Sequence, residues 1–103
     1  MNHIAITGTV ASAPHHFTRA CVPTTTFDLR VDFAHRSYTF QVRAMNDDAK
    51  FSRYLHVNDP VAITGYLHAE PIDPLDDDSG QRVEITAYEV EYHPPRPASE
   101  ATQ

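Results

Sequence analysis

Tyr66 and His68 stand two residues apart in a run, Val61–His68, whose alternate members Val61, Ile63, Gly65 and Leu67 are apolar or small. In an extended chain that spacing turns both rings to the face opposite the apolar set, and Thr64 goes with them. Arg30 sits in the same way between Leu29 and Val31. Thr39, Gln41 and Arg43 alternate with Tyr38, Phe40, Val42 and Ala44, while Phe33, His35 and Arg36 fall at the joint between those two runs. Rings beside guanidinium groups suit one kind of chemistry: the rings stack on planar bases and the cations hold a phosphate chain. The candidate site is therefore Arg30, Phe33, Arg36, Thr39, Gln41, Arg43, Tyr66 and His68. The plainer reading of any one of them is a solvated strand face.

Other chemistries find less support. Asp76-x-Asp78-x-Gly80 has the spacing of a calcium loop, but no glutamate falls where a bidentate ligand belongs, and a solvated acidic loop explains it. His15 and His16 with Cys21 lack zinc-ligand spacing, so no metal is expected. Cys21 has no histidine–acid context that would make it a nucleophile. Three glycines, Gly8, Gly65 and Gly80, do not form a phosphate-cradling loop. The expectation is a binding protein without catalysis or cofactor.

The elements that would hold these groups come from alternation. A chain of 103 residues, 41% hydrophobic and 21% charged, suits one small domain. Period-two runs predict five strands over Ile4–Val10, Phe27–Phe33, Tyr38–Ala44, Val61–Leu67 and Val83–Tyr92. The last changes phase at Ala87–Tyr88, which predicts a bulge. Phe51, Tyr54 and Leu55 at i, i+3, i+4 predict a helix with those three in the core, capped by Asn46 or Asp47 and stopped by Asn58-Asp59-Pro60. Ala11–Thr26 and Glu70–Gln81 lack periodicity and read as loops. Residues 1–92 form the domain, and 93–103, opening His93-Pro94-Pro95, read as a flexible tail. Three strands, a helix and two strands is the order of an OB-fold, an all-β, five-stranded Greek-key barrel with a helix between strands three and four, with a split sandwich as the structural alternative.

Charge is unevenly spread. Residues 1–68 hold six Lys or Arg and five acids, whereas 69–103 hold two and nine, so the net charge of −6 says little about the candidate face. The acids Glu70, Asp73, Asp76, Asp77 and Asp78 make the second loop an expected repeller of phosphate. No run approaches the roughly 18 apolar residues of a membrane helix. The N-terminus carries no signal-type apolar stretch, and a single cysteine fits a reducing compartment. The expected location is cytoplasmic, away from membranes.

Asn2-His3-Ile4-Ala5-Ile6-Thr7-Gly8-Thr9-Val10 with Pro14 beyond, Phe27-Asp28-Leu29, Tyr54-Leu55-His56-Val57-Asn58-Asp59-Pro60-Val61-Ala62-Ile63-Thr64-Gly65-Tyr66-Leu67 and Gly80-Gln81-Arg82 together resemble the bacterial single-stranded DNA-binding proteins. Gly8–Pro14 is also similar to the opening of the related primosomal replication-restart proteins. The resemblance covers residues 2–92. It implies an OB-fold and sequence-tolerant binding of single-stranded DNA in replication, recombination, repair or restart. It further implies a homodimer or homotetramer paired through the first strand, with replication or restart proteins as possible partners. The chain departs from the pattern in having no tryptophan for base stacking and an acidic loop where the family has a basic, aromatic one. Nor does its end, Ser99-Glu100-Ala101-Thr102-Gln103, match the family's acidic, apolar-tipped tail. Those departures carry the alternative, a degenerate or restart-type OB-fold module whose partner is another protein. A gapless match would set Tyr38 at the family's strand-three tryptophan, yet it would bury Gln41 and Arg43. Alternation favours the register one residue away, with Val42 and Ala44 inside.

Overall fold

Alternation governs the observed sheet as well. The computed structural model describes residues 3–71, 75 and 80–93. Six strands are present: β1 (Ile4–Val10), β2 (His15–Arg19), β3 (Val22–Phe33), β4 (Arg36–Met45), β5 (Pro60–Pro71) and β6 (Gln81–Tyr92). They form one sheet in the order β1-β5-β6-β4-β3-β2, antiparallel except for β4 beside β6. β1 also returns to β3, pairing Thr9 with Arg30 and Val10 with Leu29. That contact closes β1, β3, β4, β5 and β6 into the expected five-stranded barrel. Gly8 permits it, because a Cβ there would run into the Arg30 carbonyl oxygen.

The core is Val10, Phe27, Leu29, Val42, Ala44, Leu55, Val61, Ile63, Ile85, Ala87 and Val90. Val42 and Ala44 are fully buried, so the register of the third barrel strand is the one alternation favoured. The phase change in β6 is a bulge: Thr64 pairs with Glu89 and Gly65 with Ala87, leaving Tyr88 as the extra residue. Tyr88 turns outward rather than continuing the buried set. A Cβ on Gly65, opposite that step, would collide with the Thr86 carbonyl.

Two expectations fail. The stretch Ala11–Thr26 is not a loop, since β2 pairs with Val22–Thr26 from His15↔Thr26 to Arg19↔Val22 and stands outside the barrel as an arm on β3. Its polar residues face solvent on both sides, which erases the alternation a half-buried strand would show. The helix is also shorter than its apolar spacing suggests. Helix α1 spans Asp47–Ser52 and buries Ala49 and Ser52, whereas Phe51 and Tyr54 are exposed, Tyr54 by 66%. Of the three residues expected inside, Leu55 alone is in the core, reached after a turn. Asn46 holds the N-cap position without a side-chain capping bond. The helix is instead pinned by the buried Thr25 hydroxyl, which donates to the Ala49 carbonyl at 2.7 Å, and by Asp48 Oδ1, which accepts from the Val90 amide at 3.2 Å. Asn58 takes a left-handed conformation (φ 76°) before Pro60, as a chain-reversal residue should. Most of the Glu70–Gln81 loop, its calcium-like spacing and residues 94–103 lie outside the described residues. Among the described residues no helix is long and apolar enough to cross a membrane.

Both tight hairpins, Ala20-Cys21 and Ala34-His35, hold two consecutive non-glycine residues at positive φ (50° and 65°; 52° and 67°). Asn-Gly is the pair that tolerates this geometry. Replacing Ala34 by Asn and His35 by Gly should therefore raise unfolding stability by about 1 kcal/mol. An unchanged or lower urea midpoint would show that the turn is unstrained.

Candidate nucleic-acid interface

Two rows of side chains cross the outer face of the barrel. In register, Asp28, Gln41, Glu84 and His68 form one row across β3, β4, β6 and β5; Thr26, Arg43, Thr86 and Tyr66 form the next. Alternation forces these positions outward, because their neighbours Phe27, Val42 and Ile85 fill the core and Leu67 packs against it. Tyr66 lies 5.7 Å from His68 and 5.5 Å from Tyr88, ring centre to ring centre, and Tyr88 lies 5.5 Å from His3. A ladder of four rings thus climbs the face, its third member supplied by the bulge. These are tilted aromatic contacts, with His3 and Tyr88 exposed and Tyr66 and His68 half-buried.

Charge on this face is largely compensated. Arg43 Nε stands 3.2 Å from Glu84 Oε1, and His68 Nε2 stands 3.5 Å from the same oxygen. Glu84 is 2% exposed, roofed by its longer neighbours. Neither Arg43 Nε nor Glu84 Oε1 makes an aligned hydrogen bond, so proximity of charge holds the pair. His68 Nε2 also shares a 3.0 Å hydrogen bond with the Thr86 hydroxyl. Arg82 donates to Gln41 Oε1 at 3.2 Å across the mouth of an open cleft of about 570 Å³, lined also by Asp28, Tyr38, Thr39, Phe40 and Val83. Here β4 and β6 part, because their parallel pairing begins only at Gln41 and Glu84. Arg30 is exposed and lies 3.6 Å from Asp32, a weak surface pair. Phe33, 71% exposed, pairs with Arg36 at the tip of the β3–β4 hairpin.

The eight residues expected from sequence therefore fall in two places. Thr39, Gln41, Arg43, Tyr66 and His68 belong to the rows or the cleft, and Arg30 extends them along β3. Phe33 and Arg36 stand farther out, at the hairpin tip. Sequence reading missed His3, Tyr88, Glu84 and Arg82, although the bulge signal at Ala87–Tyr88 was enough to find Tyr88. It also missed a groove of about 340 Å³ beside Arg43, lined by Phe17, Arg19, Ala20, Val22, Thr24 and Met45. That groove exists because β2 does, and its exposed Arg19 makes no ion pair among the described residues. At the other end of the ladder stand Glu89 and Glu91. Hydrogen bonding and repulsion from Glu91, then slight desolvation and the charge of Asp48, raise the exposed Glu89 carboxyl above its ordinary value of 4.5. The folded chain thus holds that proton more tightly than the unfolded one. The resulting destabilisation is absent below pH 4.5 and complete above the raised value.

No protein-family model and no curated sequence matches the chain. By structure it is similar to the single-stranded DNA-binding protein of Thermus aquaticus, with a TM-score of 0.78 at 17% identity over 95% of this chain. The chain spans 43% of that protein's length. The small single-stranded DNA-binding protein of Streptomyces coelicolor gives 0.71 at 23% identity, covering 88% of this chain and 91% of that one. A Synechococcus SSB domain gives 0.72 at 20% identity, covering 90% and 96%. These likenesses establish the OB-fold.

Removing Arg43 should cost the fold as well as the face, because Glu84 would keep only His68 near its charge. Arg43→Ala is expected to lower unfolding stability by about 1–3 kcal/mol, and by less when Glu84→Gln is already in place. Equal losses in both backgrounds would show that the two side chains are not coupled.

Proposed function

We propose that this chain binds single-stranded DNA without strong sequence preference, as a non-catalytic protein of DNA replication, recombination, repair or replication restart in the cytoplasm. The observation that supports this reading is the ladder His3–Tyr88–Tyr66–His68 beside Arg43 on the outer face of an OB barrel. Stacking on rings is tolerant of sequence because every base has a flat face. The groove between β2 and β4 offers the same chemistry, Phe17 beside Arg19, and continues the face through Arg43. The DNA path runs from the ladder toward that arm and toward Arg30, Phe33 and Arg36, away from Glu89 and Glu91. Binding is modest and salt-sensitive, since Glu84 and Asp32 already engage two of the cations.

A second reading, a protein-interaction module of the restart type, draws on the same charge compensation and on the absence of tryptophan. Anisotropy of labelled oligo-dT separates the two. The DNA reading expects binding at low salt that fades at high salt, with Tyr66→Ala weakening it by about 1–3 kcal/mol. No binding at low salt would favour a protein partner.

The chain is further proposed to pair with itself as a homodimer or homotetramer. β1 meets β5 along its length but β3 only at Thr9 and Val10. The outer edge of Ile4–Gly8 is thus unpaired among the described residues, with Ile4 and Ile6 half-buried beside it. Such an edge is a template for a second strand. Light scattering at micromolar concentration should give a mass of two or four chains, and a monomer would dismiss the proposal.

A further inference from the structure

A buried carboxylate in a strand face is costly unless it is paired, and nothing in the packing of β6 asks for one at Glu84. The neighbouring position on the same face, Thr86, is equally covered and carries no charge. Glu84 sits opposite Gln41 and His68 and diagonally beside Arg43, at the centre of the two rows. Its side chain is 3% exposed against 29% for Arg43. The carboxylate thus holds the inner side of a guanidinium whose outer side remains open. From solvent, an approaching phosphate meets a nearly neutral pair rather than a cation. His68 Nε2 lies 3.5 Å from the same oxygen. The remaining charged groups facing this point are Asp28 at the end of the row and Arg82, bonded to Gln41.

We infer that Glu84 is a built-in competitor for the phosphate chain: it occupies Arg43 at the centre of the face and sets the ceiling on affinity. The inference rests on the DNA reading and adds to it the residue that makes binding weak and quickly reversible. A carboxylate and a phosphodiester both bring a negatively charged oxygen to a guanidinium, so the protein's own acid stands in for part of the ligand. The brake acts through Arg43 and not merely as one more negative charge in the neighbourhood.

Glu84→Gln keeps the shape and removes the charge. Glu84→Thr repeats the residue already tolerated at position 86 and guards against misfolding of the first variant. Both are titrated with labelled oligo-dT at low and high salt, alone and combined with Arg43→Gln, with thermal unfolding of each. Both variants should bind about tenfold more tightly at low salt, with a salt slope steeper by about one. That gain should vanish in the Arg43→Gln background. Unchanged or weaker binding by folded Glu84 variants, or a gain that persists without Arg43, overturns it while leaving the DNA reading intact. Failure of the parent to bind oligo-dT at low salt would instead overturn the DNA reading, and this inference with it.

Discussion

Closure of the sheet on itself is the constraint from which the rest follows. It is made by two residue pairs, Thr9 with Arg30 and Val10 with Leu29, at the one place where β1 leaves β5 and reaches β3. Three main-chain bonds lock that junction: the Val10 amide donates to the Asp59 carbonyl, Asn58 donates to Val10, and Ala11 donates to Asp28. Backbones so close leave no room for a Cβ at Gly8. Once the barrel closes, alternate residues of every strand have a dry interior to fill, and the others must face out. The outer rows are the complement of the core, so their order is fixed by packing on the opposite side of the same strands.

What those rows can do depends on how charge is distributed among them. The centre of the face holds Arg43 already matched by Glu84, and farther along β3 Arg30 is matched by Asp32. Cations with no ion pair among the described residues stand toward the margins, Arg19 on the β2–β3 arm and Arg36 at the β3–β4 tip. Rings occupy the middle. A polyanion on such a surface is gripped at the centre by stacking and at the edges by charge, the reverse of a deep basic groove. Glu89 and Glu91 close the opposite end by repulsion.

Legibility in the sequence followed burial. Strands with one face in the core, such as Phe27–Val31 and Val61–Leu67, announced themselves by alternation, and the slip at Tyr88 showed because Ile85, Ala87 and Val90 all had to be inside. β2 was illegible for the matching reason: nothing in His15–Arg19 is fully buried, and its turn, Ala20-Cys21, carries neither Asn nor Gly. The helix misled because Phe51 and Tyr54 have core-like side chains at core-like spacing, yet the barrel end accepts only the small Ala49 and Ser52 there. At the site, the residue types and their outward face were readable. Pairing across strands was not, since the partnership of Arg43 with Glu84 joins segments that become neighbours only when β4 meets β6.

The parallel ladder between β4 and β6 joins Gln41–Ala44 to Glu84–Ala87, segments separated by the helix and all of β5. Such a contact repays its loop-closure entropy only after the intervening elements are in place, which puts this barrel among slow-folding, high-contact-order topologies. Gln41, Arg43, Glu84 and Thr86 are brought together by that same long-range ladder. A partly folded chain that keeps the β3–β4 hairpin would have strands but no assembled face. On the proposed DNA reading, a ligand that spans β4 and β6 would bind only the closed barrel, and would protect the whole of it from unfolding.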